Sequence, residues 1–330
     1  MNRRRIMFAV RSPGGVGSGE LAKVAQLALG LEAEVELFHC LFDPDIARPE
    51  RLSSQALEEE IKELVDRRHR RLEQTAERLK AQGVTVRTSV RWDHPTYEGI
   101  VRQVLRLGPS LVIAQASRKR RAARLVLTRT DYKLIETCPC PVLFIKNGRP
   151  YTDAVIVAAV DPARSHGKPA LLDDAIVAAA DTIRTALKGS LRLFHAADPW
   201  DGARAMRDLQ SLPEEVLEDV HGAYSRSIQA PVIALARRHK VAESCVQVIE
   251  GDAGELLPGV VRNEPAQILA LGAVFRSRLG RALIGHTSER LLDALECDVL
   301  VVKPPAFRTP VARASTHHIA RSVAHPVPLF

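Results

Sequence analysis

The sequence predicts an α/β protein made of two tandem copies of one domain, each a five-stranded parallel sheet flanked by helices. Three observations carry that reading. The chain has 330 residues, enough for two domains of ordinary size. Short apolar runs alternate along it with stretches of helical periodicity, as βα units of a parallel sheet require. The chain also repeats itself. Leu37-Phe38-His39-Cys40 returns as Leu193-Phe194-His195-Ala196 at an offset of 156, and Leu111-Val112-Ile113-Ala114 returns in kind as Ile268-Leu269-Ala270-Leu271 at 157. Cys140-Pro141-Val142-Leu143-Phe144-Ile145-Lys146 returns as Cys297-Asp298-Val299-Leu300-Val301-Val302-Lys303, again at 157. The copies therefore span 1–150 and 151–305, and 306–330 is a basic tail that is loose unless docked.

Each element has its own signal. In the first copy the apolar run 6–10 is a strand, and Leu21, Val24, Ala25 and Ala28 mark the inner face of the helix after it. Residues 35–40 form the second strand. A charged helix over 52–82 carries Leu57, Ile61, Leu64, Leu72, Ala76 and Leu79 at three- and four-residue spacings, and Gly83 ends it. Residues 84–90 alternate as a strand, 96–107 form a helix, 111–115 a buried strand, 129–137 a short helix and 142–145 the closing strand. The second copy repeats this with strands near 154–160, 190–196, 244–249, 267–271 and 298–302, and helices near 171–187, 213–239, 253–262 and 287–295. Leu172, Ile176, Ala179, Ile183 and Leu187 form the expected buried stripe of its first helix.

Composition bounds the function. Hydrophobic residues at 46% and charged residues at 26% exclude a disordered or collagen-like chain. The net charge of +8 makes anionic partners plausible, while aromatics at 4% disfavour stacking on single-stranded nucleic acid. The charge is uneven: 1–150 has 27 basic and 18 acidic side chains, 151–305 has 17 and 21, and the tail adds three arginines. Five cysteines, with only Cys138 and Cys140 close together, fit reduced thiols in a cytoplasm better than a disulfide framework. No run approaches the roughly 18 apolar residues of a membrane span. The apolar stretch behind the basic start is too short for a secretory leader and reads as a strand.

Ligands of such sheets bind at the carboxyl ends of strands where strand order reverses. In the second copy the fourth strand leads into Gly272-Ala273-Val274-Phe275-Arg276-Ser277-Arg278-Leu279-Gly280-Arg281, and Gly285-His286-Thr287-Ser288 opens the next helix. Glycine permits close backbone approach to an anion, and a helix N-terminus offers unpaired N–H groups. The pattern suits a phosphate cradle, although glycine and Ser/Thr also simply bound helices.

These residues resemble the nucleotide motif of the universal stress protein family, G-x2-G-x9-G-[S/T], and the repeat resembles its tandem two-domain members. Gly272 matches the first glycine and Gly285 the third, Phe275 replaces the second, and His286 stands at the Ser/Thr position with Thr287 following. Val160-Asp161 resembles the family's first strand end, whose Asp contacts the nucleoside, and Ala196 the residue bordering adenine. The resemblance implies Rossmann-like domains paired antiparallel through their last strands, here 142–145 with 299–302, as a pseudo-dimer within a monomer or as a homodimer. It further implies a cytoplasmic stress-response protein whose second domain binds ATP or another adenine nucleotide, with Mg as accompanying ion. The residues implied are Val160, Asp161, Ala196, Gly272, Ala273, Phe275, Arg276, Gly285, His286, Thr287 and Ser288.

The first copy departs further. Gln115, Arg118 and Thr128 replace the three glycines, and Arg11 stands where Asp161 stands. An arginine cannot accept a bond from a ribose hydroxyl, so this copy is not expected to hold ATP in the family's manner. Its loop, with Arg118, Lys119, Arg120, Arg121, Arg124 and Arg129, reads as a solvated charged loop or as a site for another anion on an unknown partner; nucleic acid is disfavoured. No general base or metal-ligand set stands out, so nucleotide binding without hydrolysis is expected, with slow ATPase activity and a nucleotide-independent scaffold as alternatives. Pro13-Gly14-Gly15-Val16-Gly17-Ser18 fits neither dinucleotide nor pyrophosphatase loops and reads as a turn. Cys138-Pro139-Cys140 is no zinc pair, Cys245 and Cys297 read as strand-lining, and His39 and His195 as structural. The acidic stretch 198–219, with Trp200 and Met206, resembles the family's variable lid.

Overall fold

The computed structural model of the chain describes residues 4–47, 54–118, 125–162, 171–197, 214–273, 292 and 295–314. They fall into two compact units, Met1–Thr152 with Phe307–Phe330, and Asp153–Ala306.

In the first unit, β1 (Arg4–Ala9), α1 (Ser18–Gly30), β2 (Ala33–Leu41), α2 (Ser54–Lys80), β3 (Val86–Trp92), α3 (Thr96–Leu107) and β4 (Leu111–Gln115) alternate. After them come a short antiparallel pair, β5 (Ser117–Arg118) and β6 (Leu125–Val126), then α4 (Arg129–Thr137) and β7 (Val142–Ile145). The parallel strands lie in the order β7-β4-β1-β2-β3. Register places Leu37 and Ile113 on either side of Phe8, and Leu143 beside Ile113; all four are fully buried. Side chains covered on both faces explain why these strands read as continuous apolar runs. The two carboxylates of β2 are compensated: Glu34 pairs with Arg5 (2.5 Å), and Glu36 accepts from Ser89 Oγ (2.5 Å).

In the second unit, β8 (Val155–Ala159), α5 (Leu172–Leu187), β9 (Ser190–Ala197), α6 (Glu214–Arg238), β10 (Val246–Glu250), α7 (Ala253–Asn263), β11 (Ile268–Gly272) and β12 (Asp298–Val302) follow. Their order is β10-β9-β8-β11-β12, again all parallel. Both units thus start at a central strand, step outward twice, and return to its other side. The reversal places a switch point between β1 and β4, and between β8 and β11.

Leu21, Val24, Ala25 and Ala28 face inward on α1 as expected. On α2, Ile61, Leu72, Ala76 and Leu79 are buried, while Leu57 and Leu64 are half-exposed. The stripe of α5 is rotated from the expected one. Val177, Ala180 and Ala186 join Leu172, Ile176 and Ile183 inside, while Ala179 and Leu187 stay at the edge. Cys245 closes a short 3₁₀ turn (Glu243–Cys245) before β10 rather than lining the strand. Of the expected helix at 287–295 only Leu292 and Leu295 are described, and both are buried. The stretch with Trp200 and Met206 lies outside the described residues. Among the described residues no helix is long and apolar enough to cross a membrane.

Candidate functional site

The two switch points share one frame. The Val10 amide donates to the Phe38 carbonyl at 2.8 Å, and the Val160 amide to the Phe194 carbonyl at 2.9 Å. The Ala116 amide donates to Ile145 and the Ala273 amide to Val302. His39 Nδ1 lies 2.8 Å from the Val10 carbonyl and His195 Nδ1 3.0 Å from the Val160 carbonyl. A carbonyl only accepts, so Nδ1 carries the ring proton in both histidines. Each histidine thus ties the second strand to the residue after the first, which is the structural role expected of them.

Into this frame the first unit places a closed polar chain. Arg11 Nη2 reaches both carboxylate oxygens of Asp131 at 3.0 Å and the Gln115 carbonyl at 3.2 Å. The Arg11 amide donates to Gln115 Oε1 (3.2 Å), and Gln115 Nε2 donates to Glu20 Oε2 (2.9 Å). Glu20 also takes the Gly17 amide at the N-cap of α1 (2.8 Å). Asp131 is the third residue of α4 and closes a capping box with Thr128, whose amide donates to Asp131 Oδ2 at 2.6 Å. The anion that a helix N-terminus favours is therefore the chain's own carboxylate. Asp131 is 2% exposed. Burial pushes its carboxyl pKa up, and the Arg11 charge and the Thr128 bonds oppose that shift. A phosphate at this position would meet Asp131 as a like charge and compete with it for Arg11.

The glycine-rich turn ahead of α1 is held by the same unit. Thr75 Oγ1 donates to the Pro13 carbonyl (2.6 Å) and Arg78 Nη1 to the Val16 carbonyl (3.0 Å). With its N-cap amide taken by Glu20, this segment is a fastened turn.

The second unit fills the frame differently. Asp161 follows Val160 where Arg11 follows Val10. Its amide donates to Asp173 Oδ1 at 2.9 Å, and its carboxylate lies 3.9 Å from His195 Nδ1 with a side chain 26% exposed. Val160 is buried and Ala196 half-buried beside it. Across the switch point stand Gly272 and Ala273. A Cβ on Gly272 would come 2.8 Å from Leu172 Cδ2 and 3.0 Å from Ile176 Cδ1. The glycine thus makes room for the inner face of α5, a packing reason that the motif alone does not reveal. Phe275, Arg276, Gly285, His286, Thr287 and Ser288 lie outside the described residues, as do Lys119, Arg120, Arg121 and Arg124. Arg118 is placed on β5, opposite Leu125. Of the expected nucleotide residues, the described ones (Val160, Asp161, Ala196, Gly272 and Ala273) all sit at the ends of β8, β9 and β11.

Two hollows accompany these sites. The first unit has a cavity of about 370 Å³ at the ends of β1, β2 and β4, lined by residues including Arg11, His39, Arg68 and Asp131. The second has one of about 220 Å³ between β9, the start of β10 and α7, around Arg192, Phe194 and Glu264, and it does not include Asp161 or Gly272. Two thiols of the first unit are held protonated. Sγ of Cys138 and Cys140 are 3.7 Å apart, and their hydrogen bond together with burial pushes the Cys140 thiol up. Burial does the same to Cys40.

Sequence reading missed Asp131 and Arg68. The first had a signal, the capping box Thr128-x-x-Asp131. The second had only its place one turn beyond Leu64 on α2.

Fold and site together define a tandem of parallel α/β domains whose switch points differ, with an internal ion pair at one and a carboxylate and a glycine at the other. The chain belongs to the universal stress protein family, whose sequence model matches residues 2–146 and 155–303. It is similar to universal stress protein E of Escherichia coli strain K12, 27% identical over 236 residues, 69% of this chain and 72% of that one. It is also similar to the universal stress protein E homolog of Haemophilus influenzae, 24% identical over 77% of this chain and 81% of the relative. Among solved structures, a functionally unknown protein from Pseudomonas aeruginosa PAO1 superposes with TM-score 0.67 at 25% identity, covering 92% of this chain and 94% of that one. A universal stress protein from Archaeoglobus fulgidus shares the fold, with TM-score 0.58 at 15% identity over 92% of this chain and 99% of that one.

Proposed function

We propose that this chain is a cytoplasmic stress-response protein whose second unit binds ATP or another adenine nucleotide as a sensor or carrier, while the first unit does not. The observation that carries the reading is the exchange at the switch point: Asp161 and Gly272 in the second unit against Arg11 and Gln115 in the first. Asp161 is partly exposed and can accept from ribose hydroxyls. Val160 and Ala196 would border the base, and Phe275, Arg276, Gly285, His286, Thr287 and Ser288 would cradle the phosphates with Mg as accompanying ion. Nothing in this set is a committed general base, so the nucleotide is held rather than consumed. Calorimetry with ATP and AMP on the wild type and on Gly285→Asp tests this. Binding in the wild type, weakened at least about tenfold by the carboxylate placed at the helix start, is the expected result. No binding in the wild type overturns the reading, and steady phosphate release replaces it with an ATPase.

A further inference from the structure

The sealed ion pair takes up only one corner of the first unit's cavity. About 370 Å³ is open there, within the range of small-molecule sites. Its α2 wall carries Leu64 and Arg68, one helical turn apart. Arg68 is half-buried, and among the described residues it makes no hydrogen bond or ion pair. His39 also lines the cavity and is 6% exposed. Its Nδ1–H is spent on the Val10 carbonyl. Burial first, and the Arg68 charge after it, push its pKa down, so the ring is neutral and Nε2 is an acceptor. That Nε2 has no partner among the described residues, and no fully enclosed side-chain nitrogen or oxygen among them is left unsatisfied, so it opens into the cavity. The two carboxylates in the lining are occupied: Asp131 by Arg11, and Asp43 by the Asp45 amide at 2.9 Å.

We infer that this cavity is a binding site for a small organic monoanion with one hydrogen-bond donor on an apolar body. Arg68 takes the anionic group, His39 Nε2 accepts from the donor, and Leu64 with Ile100 covers the apolar part. Polyphosphates are turned away, because Asp131 and Asp43 add negative charge where further phosphates would extend. The site belongs to the first unit and does not depend on nucleotide binding by the second.

Anilinonaphthalene sulfonate has all three features: one anionic group, one N–H donor and an apolar ring system. Titrated by fluorescence into the full chain, it should bind with an affinity that Arg68→Gln lowers about tenfold, the worth of one charge-assisted contact. Arg67→Gln, at an exposed neighbour on the same helix, should leave it unchanged. Salicylate, a monoanion with a hydroxyl donor, should displace the dye, and ATP should not displace the Arg68-dependent fraction. Among the described residues Arg68 makes no hydrogen bond or ion pair, so the thermal midpoint of Arg68→Gln should match the wild type. If it shifts, Arg68→Lys must retain binding for the inference to stand. Equal dye affinity in wild type and Arg68→Gln, or displacement by ATP but not by salicylate, overturns it.

Discussion

The ends of β1 and β8 share a backbone frame but differ at two described positions, Arg11 against Asp161 and Gln115 against Gly272. Around both, the amide of the valine pairs with a phenylalanine carbonyl, and a histidine Nδ1 pairs with the valine carbonyl. The frame is thus a property of the fold, held by backbone and one buried ring. The next residue and its partner across the switch point differ between the two units. With Arg11 and Gln115 the first unit reaches over to Asp131 and Glu20 and supplies its own anion. With Asp161 and Gly272 the second sets a partly exposed carboxylate and a glycine at the same place. A duplicated domain can therefore carry different charges at its two switch points on the same sheet order.

The largest effect should come from carrying the first unit's solution into the second. Asp161→Arg places a donor where an acceptor is needed and removes a charge-assisted contact. Nucleotide affinity, read by calorimetry with ATP, should fall about a hundredfold. Because the Asp161 side chain packs little of the core, the unfolding midpoint should stay close to the wild type. Unchanged affinity would mean that the nucleoside does not lie at the β8 end, and the contrast between the two switch points would lose its functional meaning.

Next in size is the ion pair itself. Arg11→Ala leaves Asp131, 2% exposed, with only the Thr128 bonds. A buried acceptor that loses a partner costs about 1–3 kcal/mol. Arg11 is 39% exposed, so solvent can replace part of it, and about 1–2 kcal/mol is expected in urea unfolding. Asp131→Asn in the Arg11→Ala background should recover part of that loss, and the non-additivity measures the coupling. Additive effects would show that Arg11 and Asp131 stabilise the unit independently rather than as a pair.

The strands and helices were legible because burial on both faces writes continuous apolar runs, and α1 shows its stripe at the expected four positions. The rotation of the α5 stripe was not legible, since an alanine-rich helix offers several faces of nearly equal hydrophobicity. Arg11 could be read as a departure from a motif, but its partner lies 120 residues away, and no local pattern encodes that distance. Gly272 illustrates the opposite limit. Its place in the phosphate motif was visible, whereas the competing reason for a glycine, the approach of Leu172 and Ile176, exists only in three dimensions. Cys245 was assigned to a strand because its apolar neighbours continue the run, and the 3₁₀ turn that claims it has too short a pattern to compete.

The smallest effect separates the shared frame from its contents. Burial lowers the His39 pKa, and the nearby Arg68 charge lowers it further. The folded first unit therefore holds His39 neutral at pH values where the unfolded chain, with an ordinary pKa near 6.5, begins to protonate it. The sign follows from linkage: the unfolded state binds the extra proton, so stability is full above about pH 6.5 and declines as pH falls from there toward the folded-state value. Urea unfolding at a series of pH values should show this decline, and His39→Gln should remove that component while costing stability at neutral pH through the lost Val10 bond. Arg68→Gln should retain the decline in weaker form, since burial remains the leading cause and only the neighbouring charge is gone. If His39→Gln leaves the pH dependence untouched, the buried ring is not the group that titrates. The neutral Nε2 acceptor on which the monoanion site depends would then lose its support, while the Arg11–Asp131 seal would stand.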